Sequence, residues 1–481
     1  MSSNVQHVGS IIDGDELKGG ERETKEVHNP YNGEVVGKIE YVREGDLDRA
    51  IATAERVFHE TMRYIPAYQR SAILRKAADL LEARTEEFAR TLVLEAGKPI
   101  RDARGEVDRA VQVIRFASDE AKSLGGELVP MDAAVGGENR IGMVRRYPVG
   151  VVAAITPFNF PLNLVLHKLA PAFAAGNTVV LKPADRTPLS SIALARLFEE
   201  AGLPKGALNV VLGRGSQIGE PLVTDSRVAK VSFTGSVPVG LQIQKWAGLK
   251  KMTLELGSNS PNLVFDDADM DSSIAGLVGG AFAFSGQACI SVQRIYVQST
   301  VYSEFLMKYV ERVKQLQIGD PLLETTDIGP MISESEAVRA ETWVKEAEQE
   351  GAVVLTGGKR KGTIMEPTVL ANVKPHMKVV CHEVFAPIVS IIPFETEKDA
   401  VYMANDSDFG LQAGIFTNDI NRALRLADQL DTGGVWINEV STYRQDNHPY
   451  GGIKLSGIGK EGVKYAIQDM MASKFIGIKL V

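Results

Sequence analysis

The run VGVVAAITP, Val149 to Pro157, constrains this chain more than any other stretch, because it is apolar and β-branched with no polar face. A strand written that way must be covered on both sides, which is the condition of a parallel sheet wrapped by helices. The residues that follow keep to this plan. A helical segment, Leu162 to Ala175, ends at Gly176, and NTVVLKP is a second buried strand. Ser190 to Ala201 reads as a helix, LNVVLG as a third strand, Gln217 to Thr224 as a short helix and AKVSFTG as a fourth strand. Alternation with short links predicts a doubly wound α/β unit, and such sheets bind ligands beyond the carboxyl ends of their strands.

A second alternating set runs from about Ser258 to Tyr450, through PNLVF, RIYVQS, the helix Tyr302 to Leu316, AVVLTGG, VVSIIPF, AGIFT and GGVWIN. Before both sets come helical segments at Asp46 to Glu60, with Asp46 as N-cap, at Tyr68 to Leu94 and at Arg101 to Leu124. The tail KFIGIKLV alternates like an edge strand, and Met143 to Tyr147 does the same, so either could pair with another subunit.

Length and composition agree with a multidomain soluble chain. The 481 residues exceed one compact core, and a hydrophobic fraction of 44% with 24% charged residues excludes bulk disorder. A net charge of −8 argues against nucleic acid or an anionic membrane as partner. No apolar run is long enough for a transmembrane helix, and MSSNVQHVGSIIDGDELKGGERETKE, acidic and without an apolar core, does not read as a signal peptide. Two cysteines, Cys289 and Cys381, suit a reducing cytoplasm.

Several residues carry chemistry. Cys289 in FSGQACISVQ has small neighbours that let a substrate approach the backbone, whereas Cys381 in the β-like KVVCHEVF reads as a small buried hydrophobe. Glu255, at the end of an apolar run in LELGSNSPN, must be paired, protonated or employed, and Glu383 in HEVFAP has a similar setting. Lys182 ends a strand and faces the ligand crevice, or snorkels. Asn159 in TPFNFP offers an amide to a developing oxyanion, or simply makes a turn. Gly213-Arg214-Gly215 and FTGSVPVG, with Gly235 and Gly240, follow strands and could bring backbone N–H groups to a phosphate; neither has the G-x-G-x-x-G spacing. The histidines show no metal-ligand spacing, so no metal site is expected.

Taken in order, ITPFNFP, VVLKPAD, FTGSVPVG, LELGSNSPN, GQACIS, EVFAP and PYGGIKLSGIGKEG resemble the aldehyde dehydrogenase superfamily over nearly the whole chain. The resemblance implies two doubly wound α/β domains and a small bridging β element: a cofactor domain at 1–128 and 148–257, a catalytic domain at 258–450, and an oligomerisation element at 129–147 and 464–481. It implies NAD, with NADP possible, an aldehyde substrate, and a homodimer or homotetramer. By matching position, Cys289 resembles the nucleophile, Glu255 the general base and Asn159 the side-chain half of the oxyanion hole. Lys182 resembles the adenosine-ribose ligand, Ser236 the pyrophosphate contact, and Glu383 the nicotinamide-ribose ligand with Phe385 beside it. Thr156, Pro157, Asp185, Gly213, Gly235 and Gly240 join the cofactor contacts. Ser258 and Ala386 stand where the family usually has glycine; both are small, so no functional group is lost.

Within that family the stretch YRQDNHPYGGIK is most similar to relatives acting on small hydroxyaldehydes such as lactaldehyde, and Arg109 and His167 match positions that face anionic substrates. The alternative for Arg109 is a surface pair with Asp108 or Glu106. Two rival functions differ in class: a CoA-acylating semialdehyde dehydrogenase, against which the glutamate at 255 argues, and a non-catalytic protein keeping the fold, against which the joint presence of Cys289, Glu255, Asn159 and Lys182 argues.

Overall fold

The computed structural model describes residues 5–481. Residues 1–4, the start of the stretch read as lacking a secretion signal, lie outside the described residues.

Two mixed α/β layers meet across a cleft. The first is an eight-stranded sheet in the order Gly457–Ile458, Lys251–Glu255, Val228–Thr234, Val151–Ile155, Thr178–Lys182, Leu208–Val210, Ser10–Ile12 and Asp15–Leu17. Its five central strands are parallel. All five residues of Val151–Ile155 are buried, as its lack of a polar face requires. Register places Ile155 opposite Lys182 and Phe233, and Thr234 opposite Glu255. The residues that end these strands therefore line up along one carboxyl edge, where a wound sheet binds its ligand.

Helices cover both faces. Asn163–Ala175 is buried along its whole length and ends where Gly176 takes φ 94°, a left-handed cap that costs glycine nothing. The helices Ala67–Ala83, Thr85–Ala96 and Ile100–Ala121 form an outer layer over it. The second sheet has seven strands, in the order Val353–Thr356, Thr368–Ala371, Ile388–Phe394, Arg294–Gln298, Pro261–Val264, Gln412–Phe416 and Gly434–Ile437. A third, three-stranded sheet pairs Arg140–Pro148 with Glu127–Val129 on one side and Met471–Lys479 on the other.

Several local expectations are corrected. The segment 68–94 is two helices broken at Arg84, whose φ of −112° leaves the helical region. Gly45, at φ 87°, is the N-cap residue of Asp46–Glu60, and the Asp46 carboxylate instead accepts from the backbone of Arg43 and the guanidinium of Arg22. Cys381 ends a one-turn helix, Lys378–Cys381, rather than a strand; Val379 and Val380 turn inward there at a spacing too short for its periodicity to reveal. AVVLTGG supplies an antiparallel edge strand, and Ser10–Leu17 a hairpin that closes the other sheet antiparallel. The tail and Met143–Tyr147 pair with each other, leaving the outer edge of Met471–Lys479 as the sheet's border. Among the described residues no helix is long and apolar enough to cross a membrane.

Candidate active site

Cys289 is delivered by a strained turn. After the helix Met270–Phe282, Phe284, Ser285 and Gly286 take φ of 46°, 55° and 69°. Successive left-handed residues persist only when their surroundings hold them. Here the Phe284 N–H donates to Asp102 Oδ2 at 3.2 Å, and Ser285 Oγ donates to the Gly329 carbonyl at 2.8 Å. A Cβ at Gly286 would stand 2.2 Å from the Ala386 carbonyl oxygen, so only glycine passes. Cys289 follows, half-buried, with its sulfur 3.1 Å from the Tyr450 hydroxyl. Burial pushes the thiol up to about 12, against the Tyr450 hydrogen bond and the Arg444 charge, which pull it down.

Glu255 is buried, and neither carboxyl oxygen has a hydrogen-bond partner among the described residues. Burial first, then the charge of Glu461, raises its pKa well above the ordinary carboxylate value. Glu461 itself is held down to about 2: burial opposes ionisation, but Lys168, with Nζ 2.9 Å from Oε1, and Arg444, with Nη2 3.1 Å from Oε2, overcome it. The two buried glutamates are thus pushed in opposite directions, Glu255 toward the protonated form and Glu461 toward the ionised one.

Asn159 Nδ2 donates to the Gln287 carbonyl at 2.9 Å, two residues before Cys289, and its Oδ1 is buried without a partner among the described residues. The loop carrying the amide and the loop carrying the thiol are therefore stitched together.

These residues open on a cavity of about 710 Å³, whose wall includes Thr156, Pro157, Asn159, Gly235, Ser236, Glu255, Cys289, Glu383 and Phe385. Glu383 Oε1 accepts from the Ser258 N–H at 3.1 Å, and burial pushes its carboxyl up to about 7. A Cβ at Gly257 would meet Glu383 Oε2 at 2.4 Å. Phe385, at φ 49°, packs edge-on to Phe158 with ring centres 5.9 Å apart. Ser236 is the N-cap residue of the helix Val237–Ala247, and its hydroxyl is not spent on capping. Thr156 Oγ1 is buried without a partner among the described residues. Gly240 lies against Leu256, where a Cβ would approach to 2.4 Å. Lys182, Asp185 and Gly213 stand beside this wall rather than in it. Lys182 Nζ donates to Asp185 Oδ1 at 2.9 Å, the Tyr41 hydroxyl lies 3.4 Å from Asp185 Oδ2, and Gly213 packs near Ile218. Orphaned hydroxyl and amide oxygens, an uncapped helix start and a carboxyl poised near neutrality fit an elongated polar ligand such as a dinucleotide.

Arg109 and His167 meet at a residue from a third segment. Arg109 grips Asp446 through Nε at 3.2 Å and Nη2 at 2.7 Å, and His167 Nε2 lies 2.7 Å from Asp446 Oδ1. The surface pairing of Arg109 with Asp108 or Glu106 is not what forms; Glu106 is committed to Lys98. Burial and the Arg444 charge lower the His167 pKa, against the pull of Asp446 and Glu461. Burial works against ionising Asp446, yet His167, Arg109 and Arg444 hold its carboxyl far below the usual range. Neither Arg109 nor His167 lines the large cavity.

Sequence reasoning missed Tyr450, Arg444, Lys168 and Glu461. Lys168 had a signal, a lysine inside the apolar helix LVLHKLAPAFAA. Arg444 and Tyr450 had none, because their meaning lies in the 3.6 Å stacking of the guanidinium over the ring.

Comparison with known proteins adds three findings. The family model described as "Aldehyde dehydrogenase family" matches residues 17–476. A 3-sulfolactaldehyde dehydrogenase of Priestia aryabhattai is 48% identical over 458 residues, 95% of each chain. Among solved structures, aldehyde dehydrogenase 21 of Physcomitrella patens in complex with the reaction product succinate superposes with a TM-score of 0.97 at 40% identity, covering 99% of both chains. The glyceraldehyde-3-phosphate dehydrogenase of Methanocaldococcus jannaschii complexed with NADP does so with 0.92 at 42% identity, covering 96% of this chain and 100% of the other.

Proposed function

The chain belongs to the aldehyde dehydrogenase family, and from that premise we propose that it oxidises a small anionic aldehyde to its carboxylic acid, with Cys289 as nucleophile and a nicotinamide dinucleotide as oxidant. The observation that supports the chemistry is the meeting of Cys289, Asn159 and Glu255 on one cavity wall with Glu383 and Phe385.

The dinucleotide, when bound, supplies the hydride acceptor; Thr156, Ser236, Glu383 and Phe385 line the cavity that would hold it, with Lys182 and Asp185 beside it. The residues of the chain do the remaining work. The Cys289 thiol gives its proton to solvent, the Tyr450 hydroxyl and the Arg444 charge favouring the thiolate, and the thiolate adds to the aldehyde carbon. The second Asn159 amide hydrogen and the Cys289 backbone N–H receive the negative charge that forms on oxygen. Oxidation leaves the acyl group on Cys289 as a thioester. Glu255, ionised at this stage, takes a proton from water, the water oxygen adds to the acyl carbon, and the carbon–sulfur bond breaks to release acid and thiol. Its raised proton affinity suits it to that transfer near neutral pH.

Electrostatics supports the substrate class. Arg109, Arg444 and Lys168 bring three cationic side chains to a cluster in which they pair with Asp446 and Glu461. Arg444, stacked on Tyr450, exerts its positive charge at Cys289, and such a field favours an anionic substrate. The relatives named above for sulfolactaldehyde and for bound succinate handle molecules of that kind.

We further propose that 1–128 with 148–257 binds the cofactor, that 258–450 carries catalysis, and that 129–147 with 464–481 serves association. The unpaired outer edge of Met471–Lys479 suits pairing with a second copy in a homodimer or homotetramer. Both cysteines are free, which fits the cytoplasm.

A spectrophotometric panel tests this reading, with succinate semialdehyde, 3-sulfolactaldehyde, lactaldehyde and hexanal, each with NAD and with NADP. Reduced dinucleotide should form, with kcat/KM highest for the anionic aldehydes. No turnover of any aldehyde refutes the chemistry, and a preference for hexanal refutes the substrate class.

A further inference from the structure

Lys98 is completely buried outside the cavity, between the two loops that supply the oxyanion donor and the nucleophile. Its ammonium stands 3.7 Å from the ring centre of Phe160 and 4.6 Å from that of Phe284. Phe160 directly follows Asn159, and Phe284 begins the strained turn that leads to Cys289. The two rings are edge-to-face, 6.3 Å apart. The ion pair of Lys98 is Glu106, whose other oxygen accepts the Leu162 and Asn163 N–H groups at 3.0 Å each, so the same carboxylate anchors the far end of the Asn159 loop. Asp102, one turn earlier on that helix, accepts the Phe284 N–H and anchors the other loop.

A buried ammonium is costly unless it is paired, and burial lowers its pKa against the pull of Glu106 and Asp102. Two aromatic faces and one carboxylate are the compensation found here, and each belongs to or anchors an active-site loop. We propose that Lys98 is a positioning residue: its ammonium fixes the distance between the Asn159 and Cys289 loops, and so sets the geometry of the oxyanion hole. This rests on the assignment of Asn159 and Cys289 made above. Displacements on the scale of 1 Å in such geometry can cost on the order of 100-fold in rate.

The test is a thermodynamic cycle in kcat on the full-length enzyme. Lys98→Met should lower kcat about 10- to 100-fold with little change in dinucleotide Kd. In an Asn159→Ala background the same substitution should lower kcat no further, because the donor it positions is gone. Phe160→Leu, which keeps the buried ion pair and with it the fold, should lower kcat in the same direction and by a smaller factor. Equal losses from Lys98→Met in both backgrounds would show a general structural role and overturn the proposal. Should Lys98→Met fail to fold, Phe160→Leu carries the same cycle, and an unchanged kcat there overturns it. If Asn159→Ala alone leaves kcat intact, the oxyanion assignment is wrong. If Asn159→Ala is slow while Lys98→Met turns over like wild type, the positioning idea fails alone.

Discussion

The Tyr450 hydroxyl lies 3.1 Å from the Cys289 sulfur, while the opposite side of the tyrosine's chemistry, its ring face, carries the Arg444 guanidinium at 3.6 Å. One residue thus couples the nucleophile to a buried cation that is itself fixed by Glu461. The hydroxyl can donate to a thiolate, and the nearby positive charge favours that thiolate too.

Tyr450→Phe keeps the ring and its contact with Arg444 but removes the donor. Loss of one hydrogen bond to a charged group, about 1.5–3 kcal/mol, should slow iodoacetamide alkylation of Cys289 roughly 10- to 150-fold at pH 8. Mass spectrometry of the labelled cysteine reads it directly. A faster reaction would mean that the hydroxyl shields the sulfur instead of activating it.

Cys289→Ala should abolish aldehyde oxidation and leave dinucleotide binding intact, since oxidation proceeds only from the covalent adduct. Cys381, at the end of its one-turn helix and outside the cavity, should tolerate alanine with activity within about twofold. Turnover by Cys289→Ala above a trace would refute the mechanism.

Glu255→Gln should still show a first-turnover burst of reduced dinucleotide, followed by a steady rate lower by about 100-fold or more. In the wild type, the steady rate should climb as pH rises, because the raised pKa keeps the carboxyl protonated until well above 4.5. Stability moves the opposite way. Between the unfolded and folded pKa values the folded chain binds one proton more, so folding weakens as pH increases through that window. Glu255→Gln removes this dependence, and its Tm should exceed that of the wild type at pH 8 but not at pH 4. Identical Tm differences at both pH values would show that Glu255 is ionised in the fold.

Asp185 is held by Lys182 at the end of a parallel strand, where a carboxylate accepts from ribose hydroxyls and repels a 2′-phosphate. Asp185→Ala should shift the NADP-to-NAD ratio of kcat/KM upward by about tenfold, in keeping with one repulsive contact of roughly 1.4 kcal/mol. Wild-type enzyme preferring NADP would show that Arg186, which lines the cavity, governs the choice.

Arg109→Ala removes one positive charge from the cluster around Asp446. KM for succinate semialdehyde should increase about 10-fold or more while that for hexanal stays within about twofold. Equal increases for both substrates would assign Arg109 to holding the Asp446 loop rather than to reading charge.

The sequence alone determined the parallel core and singled out Cys289, Glu255 and Asn159. VGVVAAITP lacks a polar face, so only a sheet covered on both sides can use it, and the carboxyl edge of that sheet must then present Lys182, Glu255 and the turn after Thr156. Cys289 among small residues was legible for the same local reason. Edges and short elements were less so: Lys378–Cys381 is too brief to show a period, and the antiparallel pairing of Val353–Thr356 depends on its partner's direction. What only tertiary structure decided is the electrostatics. Arg109, His167, Arg444 and Asp446 come from three separate segments, and Lys98 meets Phe160 and Phe284 from three more. Charge and proton affinity are set by burial and by distances of a few ångströms, quantities that exist only once the chain has folded.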